Sequence, residues 1–218
     1  MIEIDHSVFV TGTDTGVGKT RVAATLLRQW AAEGLAVAGL KPVAAGAQLT
    51  AAGWRNDDAL ALAEAASLPL PYKVINPCCL PLATAPHLAA AAAGLPIDLA
   101  SLADQCRAAA QGADRVVIEG AGGWLVPVAE PVVPGESGPT LADLAVALHL
   151  PVLLVVGVRL GCLNHALLTA TAIRSSGLPL AGWVGSVIDP AFAEAADYRL
   201  ALAQRLPAPC VGWLPWAP

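Results

Sequence analysis

Short apolar runs alternate with longer amphipathic segments along almost the whole chain. The runs are rich in Val, Ile and Leu and have the length of buried strands, whereas the segments between them have the length of helices. This pattern predicts strands at 8–11, 37–41, 73–76, 115–119, 152–157, 182–188 and 211–214. It predicts helices at 20–33, 58–66, 99–110, 141–148, 163–175 and 191–205, and a further alanine-rich helix after residue 87.

Strands separated by helices in this way are typical of a parallel sheet that is covered on both faces. We therefore expect an α/β fold with a seven-stranded, mostly parallel sheet. The chain of 218 residues contains no internal repeat and no linker, and its length fits a single domain over 1–218. Segment 127–139 is dense in Pro and Gly, which predicts a mobile surface loop.

The composition is apolar, but it does not point to a membrane protein. Hydrophobic residues make up 56% of the chain and the mean hydropathy is +0.62, with much of this contributed by alanine, which favours helices. The longest strongly apolar run, 150–158, is too short to cross a bilayer as a helix. Residues 1–6 lack the basic start of a signal peptide. We expect a cytoplasmic protein without a membrane partner.

Charge and cysteine usage exclude two further classes of protein. The net charge of −5 argues against a nucleic-acid partner that is bound through general electrostatics. The five cysteines include the adjacent Cys78 and Cys79 but no C-x-x-C spacing, so nothing resembles a zinc site or a disulfide framework. Free thiols in a reducing compartment are expected.

A glycine-rich stretch joins the first predicted strand to the first predicted helix. Residues 12–20 read Gly-Thr-Asp-Thr-Gly-Val-Gly-Lys-Thr, the setting of a P-loop, in which backbone N–H groups and a helix N-terminus cradle phosphates. Lys19 would reach the β- and γ-phosphates, and the Thr20 hydroxyl would join a Mg²⁺ shell. Five residues separate Gly12 from Gly18, one more than usual. The alternative is an ordinary glycine turn before a helix.

Charged side chains follow the second strand, at the edge where parallel sheets bind ligands. Lys41 ends that strand and would supply a cation for a phosphate or a developing anion, although a solvated lysine is equally compatible with the pattern. Asp58 is a candidate Mg²⁺ carboxylate. The alternative is a helix N-cap, which Asp57 or Asp58 would fill.

Glu119 closes the apolar strand 115–119 and is followed by a Gly-rich segment. A carboxylate in this place is the Walker-B arrangement, which sets an acid beside the P-loop metal. Because an unpaired charge among buried neighbours is costly, a functional role is favoured over an accidental one. Gly120 and Gly122 would allow close backbone approach to a ligand.

The segment 158–165 opens a helix after the fifth strand. Its N-terminal N–H groups are suited to holding a carboxylate. Cys162 as a nucleophile is the weaker interpretation, because a buried structural cysteine is commoner. His87 follows a Thr-Ala-Pro turn, and alone it would be a cap or core histidine.

In order, these motifs resemble those of the dethiobiotin synthases. The matching stretches are GTDTGVGKT at 12–20, KPVAAG at 41–46, RNDDALAL at 55–62, TAPH at 84–87, EGAGGW at 119–124, LPVLLVVGVRLGCLNH at 150–165, LAGWV at 180–184 and PW at 215–216. The resemblance implies a homodimer of P-loop subunits in biotin biosynthesis. It implies that 7,8-diaminopelargonate (7,8-diaminononanoate), CO2 and ATP become dethiobiotin, ADP and phosphate through an N-carbamate and a carbamic-phosphoric anhydride.

The resemblance also implies roles for individual residues. Lys41 and Lys19 would be catalytic, and Mg²⁺ would be held by Thr20, Asp58 and Glu119. The nucleotide ATP would contact Gly16, Val17, Gly18, Lys19, Thr20, Arg21, Asp58, Glu119, Gly120, Ala121, Gly122, Ser186, Pro215, Trp216 and Ala217. The diamine substrate would contact Thr15, Lys41 and Ala45, while the partner subunit would hold its carboxylate with Gly161, Cys162, Leu163 and Asn164.

Three positions depart from the pattern of the family. Ala45 stands where relatives carry a serine, so one substrate hydrogen bond is missing or replaced. Ser186 stands where an asparagine reads adenine, and a hydroxyl cannot make the two-point contact of an amide. The preferred nucleotide base is therefore open. Gly16 replaces a larger residue of some relatives, a change that we expect to be harmless.

Two other functions share such a sheet and loop. A nucleotide-driven switch of the ParA/MinD type would carry an additional lysine early in the loop and a basic or amphipathic surface. Here Lys19 is the first lysine of the chain, and Asp14 lies early in the loop. An amidase or ligase of the cobyric-acid type would carry an attached glutaminase domain, which this sequence lacks.

Overall fold

The computed structural model describes residues 1–217. In chain order its strands are β1 (Val8–Gly12), β2 (Val37–Leu40), β3 (Val43–Ala45), β4 (Gln48–Thr50), β5 (Gly53–Arg55), β6 (Cys78–Leu80), β7 (Arg115–Glu119), β8 (Val152–Val158), β9 (Leu180–Val187) and β10 (Cys210–Leu214). Its helices are α1 (Lys19–Ala32), α2 (Asp57–Ala65), α3 (Tyr72–Ile75), α4 (Pro86–Ala93), α5 (Leu99–Ala109), α6 (Leu141–Leu148), α7 (Cys162–Ser175) and α8 (Ala195–Arg205).

The main sheet has six strands in the order β10-β9-β8-β1-β7-β2, and every neighbouring pair is parallel. The chain leaves β1 towards β2 on one side and later builds β8, β9 and β10 on the other. In such sheets the ligand crevice lies beyond the carboxyl end of the strand where the order reverses. The register aligns Val10 of β1 with Glu119 of β7, which brings that acid level with the start of the P-loop.

Alternate residues of the central strands belong to two separate hydrophobic clusters. Val8 and Val10 of β1 pack in one cluster with Leu26 of α1 and Leu62 of α2. Phe9 lies in the other cluster, which also contains residues of α5, α6, α7 and α8. Because successive side chains of a strand point to opposite faces, helices cover the sheet from both sides.

The predicted strand at 73–76 is wrong, because these residues form most of the short helix α3 and the asparagine that ends it. Pro71 precedes the helix, and the apolar run that suggested a strand is only Val74 and Ile75. A run of this length does not distinguish a strand from one helical turn. The main sheet therefore has six strands instead of the expected seven.

The segment that replaces the seventh strand covers the outer side of β2. Val37 donates its N–H to Ser67 Oγ at 2.9 Å and accepts from the N–H of Leu68 at 3.0 Å. Lys41, just after β2, donates its N–H to the carbonyl of Ile75 at 2.8 Å. The outward backbone groups of Val37 and the N–H of Lys41 are thus engaged without a further strand.

The predicted helix ends agree with the structure within one residue for five helices and differ at α8. That helix begins at Ala195, not at 191, because Asp189 Oδ1 accepts the N–H of Ala191 in a preceding turn. Two small sheets were not predicted: β3 pairs with β6, and β4 forms a hairpin with β5.

The base of the segment 127–139 is anchored to the fold. Pro127 and Thr140 form an antiparallel bridge, and Val128 is buried. The mobility expected for the rest of the segment stays a prediction. Within residues 1–217, the helices are too short or too polar for any of them to traverse a lipid bilayer.

Candidate active site

The P-loop runs from Gly12 at the end of β1 to Lys19 at the start of α1. Gly18 caps the helix with φ 89°, a left-handed conformation that favours glycine. A Cβ on Gly12 would lie 2.6 Å from Val17 Cγ2, so the loop folds back too closely for any side chain at that position. The structure thus has the strand, loop and helix that the sequence predicts, and the plain glycine turn is not needed as an explanation.

The Lys19 side chain lies across the P-loop and is held there by a backbone carbonyl of the loop itself. It is 6% exposed and its Nζ donates to the carbonyl of Asp14 at 2.9 Å. Burial and the charge of Lys41 lower the pKa of Lys19 to about 8. The Asp14 carboxylate accepts from the Thr15 N–H at 2.7 Å and pairs with Arg159 at 2.9 Å, which stabilises the turn.

Lys41 is not a solvated lysine, since it is only 2% exposed. Its Nζ contacts Glu119 Oε1 at 2.5 Å, Asp58 Oδ2 at 2.9 Å and the carbonyl of Gly120 at 3.1 Å. Burial lowers the pKa of Lys41, but the two carboxylates outweigh it and raise that pKa above its ordinary value. The side chain is therefore a fixed ammonium group at the carboxyl ends of two neighbouring strands.

Glu119 is fully buried at the end of β7. Its Oε1 also accepts from the Thr20 hydroxyl at 2.9 Å, which links the acid to the P-loop helix. Burial raises the pKa of Glu119 more than the ammonium of Lys41 lowers it. Within the described residues, its Oε2 is buried and has no hydrogen-bond partner. Such an oxygen is available to a ligand, because buried polar atoms are normally satisfied.

Asp58 does not cap α2, so the interpretation of this residue as a helix N-cap is wrong. The cap is Asn56, whose Oδ1 accepts from the Ala59 N–H at 3.3 Å. The Asp58 carboxylate instead faces Lys41 and is partly exposed. Burial alone would raise the pKa of Asp58, but the Lys41 ammonium and the other groups around the carboxylate together have the larger, opposite effect. The pKa of Asp58 is therefore below its ordinary value.

The chemistry of these donors fits Mg²⁺. Two carboxylates and a hydroxyl, from Asp58, Glu119 and Thr20, converge near Lys41, and hard Mg²⁺ takes one or two protein carboxylates together with phosphate oxygens. Among residues 1–217 no group of three or more His, Cys, Asp or Glu side chains forms a metal cage. These protein donors are too few to hold Mg²⁺ alone, and they suit an ion that is bound together with the phosphates of a nucleotide.

These side chains line one cleft of about 910 Å³. Of the residues predicted to bind nucleotide, metal or substrate, it brings together Thr15, Gly16, Gly18, Lys19, Thr20, Arg21, Lys41, Ala45, Asp58, Glu119, Ala121 and Gly122. Its wall also includes residues that the sequence did not mark as site residues, among them Asn56, Thr84, Leu125, Val126 and Pro127. Two signals pointed towards them: Asn56 adjoins the acidic pair, and Thr84 opens the Thr-Ala-Pro turn.

Other predicted nucleotide contacts lie beside the cleft. Val17 is buried beneath the loop, and Gly120 follows β7 with its carbonyl on Lys41. Ser186 is buried at the end of β9, where a Cβ on Gly18 would lie 2.7 Å from its Oγ. The C-terminal residues Pro215, Trp216 and Ala217 are exposed, and Arg21 Nη1 donates to the carbonyl of Pro215 at 2.7 Å.

The segment that opens α7 does not line this cleft. Gly161 and Asn164 are exposed, and Leu163 is partly buried. Cys162 is 1% exposed, and burial raises the pKa of its thiol. A buried thiol with a raised pKa is a poor nucleophile, which contradicts the catalytic interpretation of this cysteine.

Solved structures show the same fold. A ParA family ATPase from Chlorobium tepidum superposes with a TM-score of 0.55 at 14% identity, over 98% of this chain and 86% of that one. A signal recognition particle receptor FtsY from Elizabethkingia anophelis superposes with a TM-score of 0.53 at 20% identity, over 96% of this chain and 57% of that one. At such low identities the likeness extends to the fold alone.

Sequence comparison goes further. The family model described as AAA domain matches residues 6–218. The ATP-dependent dethiobiotin synthetase BioD of Pseudomonas paraeruginosa is 51% identical over 208 residues, which cover 95% of this chain and 88% of that protein. BioD of Xanthomonas campestris pv. campestris is 48% identical over 96% of this chain and 91% of its own, and BioD 1 of Escherichia coli K12 is 46% identical over 95% and 89%. The chain belongs to the ATP-dependent dethiobiotin synthetase family.

Proposed function

We propose that this enzyme carboxylates 7,8-diaminopelargonate with CO2 at the expense of ATP and closes the ureido ring of dethiobiotin. The observation that supports it best is the position of Lys41, whose buried Nζ lies between Glu119 and Asp58 in the cleft that also contains the P-loop. A fixed cation beside a phosphate cradle suits a reaction in which negative charge develops on oxygens of both partners.

The reaction divides into three steps. One amine of the substrate adds to CO2 and loses a proton, which gives an N-carbamate. A carbamate oxygen then takes the γ-phosphoryl group of ATP, releasing ADP and leaving a carbamic-phosphoric anhydride. The second amine attacks the carbonyl carbon, phosphate leaves, and the ring closes with loss of a second proton.

Two lysines of the cleft have distinct parts in this scheme. Lys19 neutralises the phosphates in the P-loop, where its Nζ now contacts the carbonyl of Asp14. Lys41 stabilises the carbamate and the phosphoryl oxygens and holds them in line, because positioning and charge stabilisation supply most of the catalysis of phosphoryl transfer. Thr15 and Ala45, which line the same cleft, contact the diamine.

Mg²⁺ bound with the nucleotide would be held by Thr20, Asp58 and Glu119. When bound, it would neutralise charge on the phosphate oxygens of ATP. The unpartnered Oε2 of Glu119, within the described chain, is the group that this role would satisfy.

The nucleotide base is proposed to lie beside Ser186 and the segment 215–217. Two observations support this position. Ser186 Oγ lies close beneath Gly18 of the P-loop. Arg21, in the helix that follows the loop, donates a hydrogen bond to the carbonyl of Pro215. A serine can supply only part of an amide contact to adenine. Other nucleoside triphosphates are therefore candidate substrates beside ATP.

We further propose that the enzyme works as a homodimer of single-domain subunits in the cytoplasm. The exposed ends of the segment Gly161 to Asn164 are outside their own cleft, so they are free to hold a substrate carboxylate in the partner's site. All five cysteines are free thiols, the state that a reducing compartment maintains.

The test is an incubation of the purified protein with diaminopelargonate, bicarbonate, Mg²⁺ and each nucleoside triphosphate in turn. We expect phosphate release that requires the diamine, with dethiobiotin detected by mass spectrometry. Phosphate release without the diamine, or stimulated only by DNA or lipid, would contradict the proposal and favour a nucleotide-driven switch.

A further inference from the structure

A short segment that carries no assigned role is tied to the carboxyl end of β2. Asn76, at the end of α3, is 2% exposed, and its Nδ2 donates to the carbonyl of Lys41 at 2.6 Å. The same group is 3.3 Å from the carbonyl of Cys78. A buried amide so engaged fixes the backbone of Lys41, because moving that backbone would leave polar groups unsatisfied.

The Tyr72 hydroxyl connects this amide to the helix that carries Asp58. It donates to Asn76 Oδ1 at 3.0 Å and accepts from the backbone N–H of Asn56 at 2.7 Å. Asn56 is the N-cap of α2, two residues before Asp58. One hydroxyl thus joins the backbone positions from which the Lys41 ammonium and the Asp58 carboxylate approach each other.

Backbone bonds hold the same segment on both sides of Lys41. The N–H of Lys41 donates to the carbonyl of Ile75 at 2.8 Å, and the N–H of Cys78 donates to the carbonyl of Pro42 at 3.1 Å. Lys41 is therefore connected to the segment through its N–H, through its carbonyl and through the residue that follows it.

The environment of Tyr72 keeps its hydroxyl protonated, so that it can donate a hydrogen bond at all physiological pH values. Burial and the neighbouring Cys79 raise the pKa of Tyr72 to about 12, so the hydroxyl keeps its proton at physiological pH. The guanidinium of Arg55 lies 4.2 Å above the ring, a cation–π contact that limits its motion.

We propose that Tyr72 and Asn76 are positioning residues, which act through the Lys41 backbone and the α2 N-terminus to set the Lys41 ammonium against Asp58 and Glu119. This inference rests on the proposed function of Lys41. Neither side chain touches a reacting atom in this scheme. Their effect on the reaction comes from the accuracy with which Lys41 meets the developing charge, where small misplacements are costly.

The kinetic test is the variant Tyr72→Phe, which removes the hydroxyl and keeps the ring. We expect kcat to fall about ten- to hundredfold, with the KM for the nucleotide nearly unchanged because the P-loop is untouched. In a Lys41→Ala background the same change should have little further effect. The matched control is Tyr198→Phe in α8, whose ring packs against Phe192 and which should keep normal kcat.

An unchanged kcat in Tyr72→Phe, or an equal loss with and without Lys41, would overturn the proposal. A rise in nucleotide KM without a fall in kcat would also do so, because it would place the effect at the P-loop.

Hydrogen–deuterium exchange tests the positioning without any turnover. Tyr72→Phe should speed exchange of the Lys41 amide about tenfold, the loss expected from weakening a hydrogen-bonded network, while amides of β8 stay protected. Tyr198→Phe should leave Lys41 exchange unchanged. Unchanged Lys41 exchange in Tyr72→Phe overturns the positioning role. If the unsubstituted protein releases no diamine-dependent phosphate, the proposed function fails, and the exchange result still decides the positioning role by itself.

Discussion

Lys41 Nζ donates a 2.5 Å hydrogen bond to Glu119 Oε1, which joins the carboxyl ends of two adjacent parallel strands. Both side chains are buried. A buried charge is tolerated only with a well-placed partner. Removing Lys41 takes the cationic partner from Glu119, and removing Glu119 leaves Lys41 paired with Asp58 alone. The pair therefore contributes to the stability of the fold as well as to the proposed chemistry, and the effect of breaking it can be measured on both.

Replacement of Lys41 tests the proposed chemistry most directly. We expect Lys41→Ala to lower turnover by roughly two to four powers of ten, a loss like that of an oxyanion donor. Diamine-dependent phosphate release is the measurement. Lys73→Ala, at an exposed lysine of α3, is the matched control and should retain activity. Normal turnover in Lys41→Ala would remove that residue from the mechanism.

Glu119→Gln keeps the size of the side chain and removes its charge. We expect Mg²⁺-dependent nucleotide binding to weaken by at least about tenfold, because a proposed metal-binding oxygen is lost. Isothermal titration with and without Mg²⁺ measures the effect, and thermal unfolding checks that the fold survives. Glu130→Gln, at an exposed carboxylate, serves as control. A Mg²⁺ titration like that of the unsubstituted protein would argue against Glu119 as a metal neighbour.

Ser186→Asn introduces the amide that the family resemblance implies at this position for reading adenine. We expect it to sharpen the preference for ATP over other nucleoside triphosphates, because an amide makes two contacts where a hydroxyl makes one. Steady-state rates with each nucleotide give the profile. Ser186→Ala controls for loss of the hydroxyl and should gain no such preference. Matching profiles for the Asn variant and the unsubstituted protein would refute this assignment.

Nucleotide binding should take up a proton at Lys19. The pKa of Lys19 in the free protein is lowered to about 8, first by burial and then by Lys41, whereas bound phosphates favour the charged form. Affinity should therefore fall as pH rises above about 8, by at most about tenfold per pH unit for one proton. Titration calorimetry in two buffers with different ionisation enthalpies measures the uptake.

Lys19→Arg is the control for that linkage. A guanidinium stays protonated throughout this range, so proton uptake at this site should disappear even if affinity is lower. Equal proton uptake in both proteins would show that another group is responsible.

Most of the fold was predictable because its signals are local. Buried parallel strands are continuous apolar runs, and β1, β7 and β8 were recognised from these runs alone. The strand expected at 73–76 failed because two apolar residues after a proline fit one helical turn equally well. What covers β2 depends on contacts with distant residues, which the pattern of this segment does not reveal.

The site was predictable in its parts but not in its connections. The P-loop and the acid at the end of β7 carry chemistry at recognisable spacing. The contact between Lys41 and Asp58 depends on how two segments meet in space. The cap supplied by Asn56 is a local bond, but the adjacent Asp57 and Asp58 are residue types with a similar preference for the N-cap. Ordinary roles as a solvated lysine and a helix cap were therefore compatible with the sequence until the structure was known.

The hydrogen bonds that join Ser67, Leu68 and Ile75 with the β2 edge have a consequence for how molecules of this protein meet. An open outer strand is a template on which another chain can add by backbone pairing and begin aggregation. Here the outward groups of Val37 and Lys41 are already engaged by the same chain. On this side of the molecule, an approaching strand would have to displace these bonds before it could pair with Val37 and Lys41, which disfavours growth of a continuous intermolecular sheet.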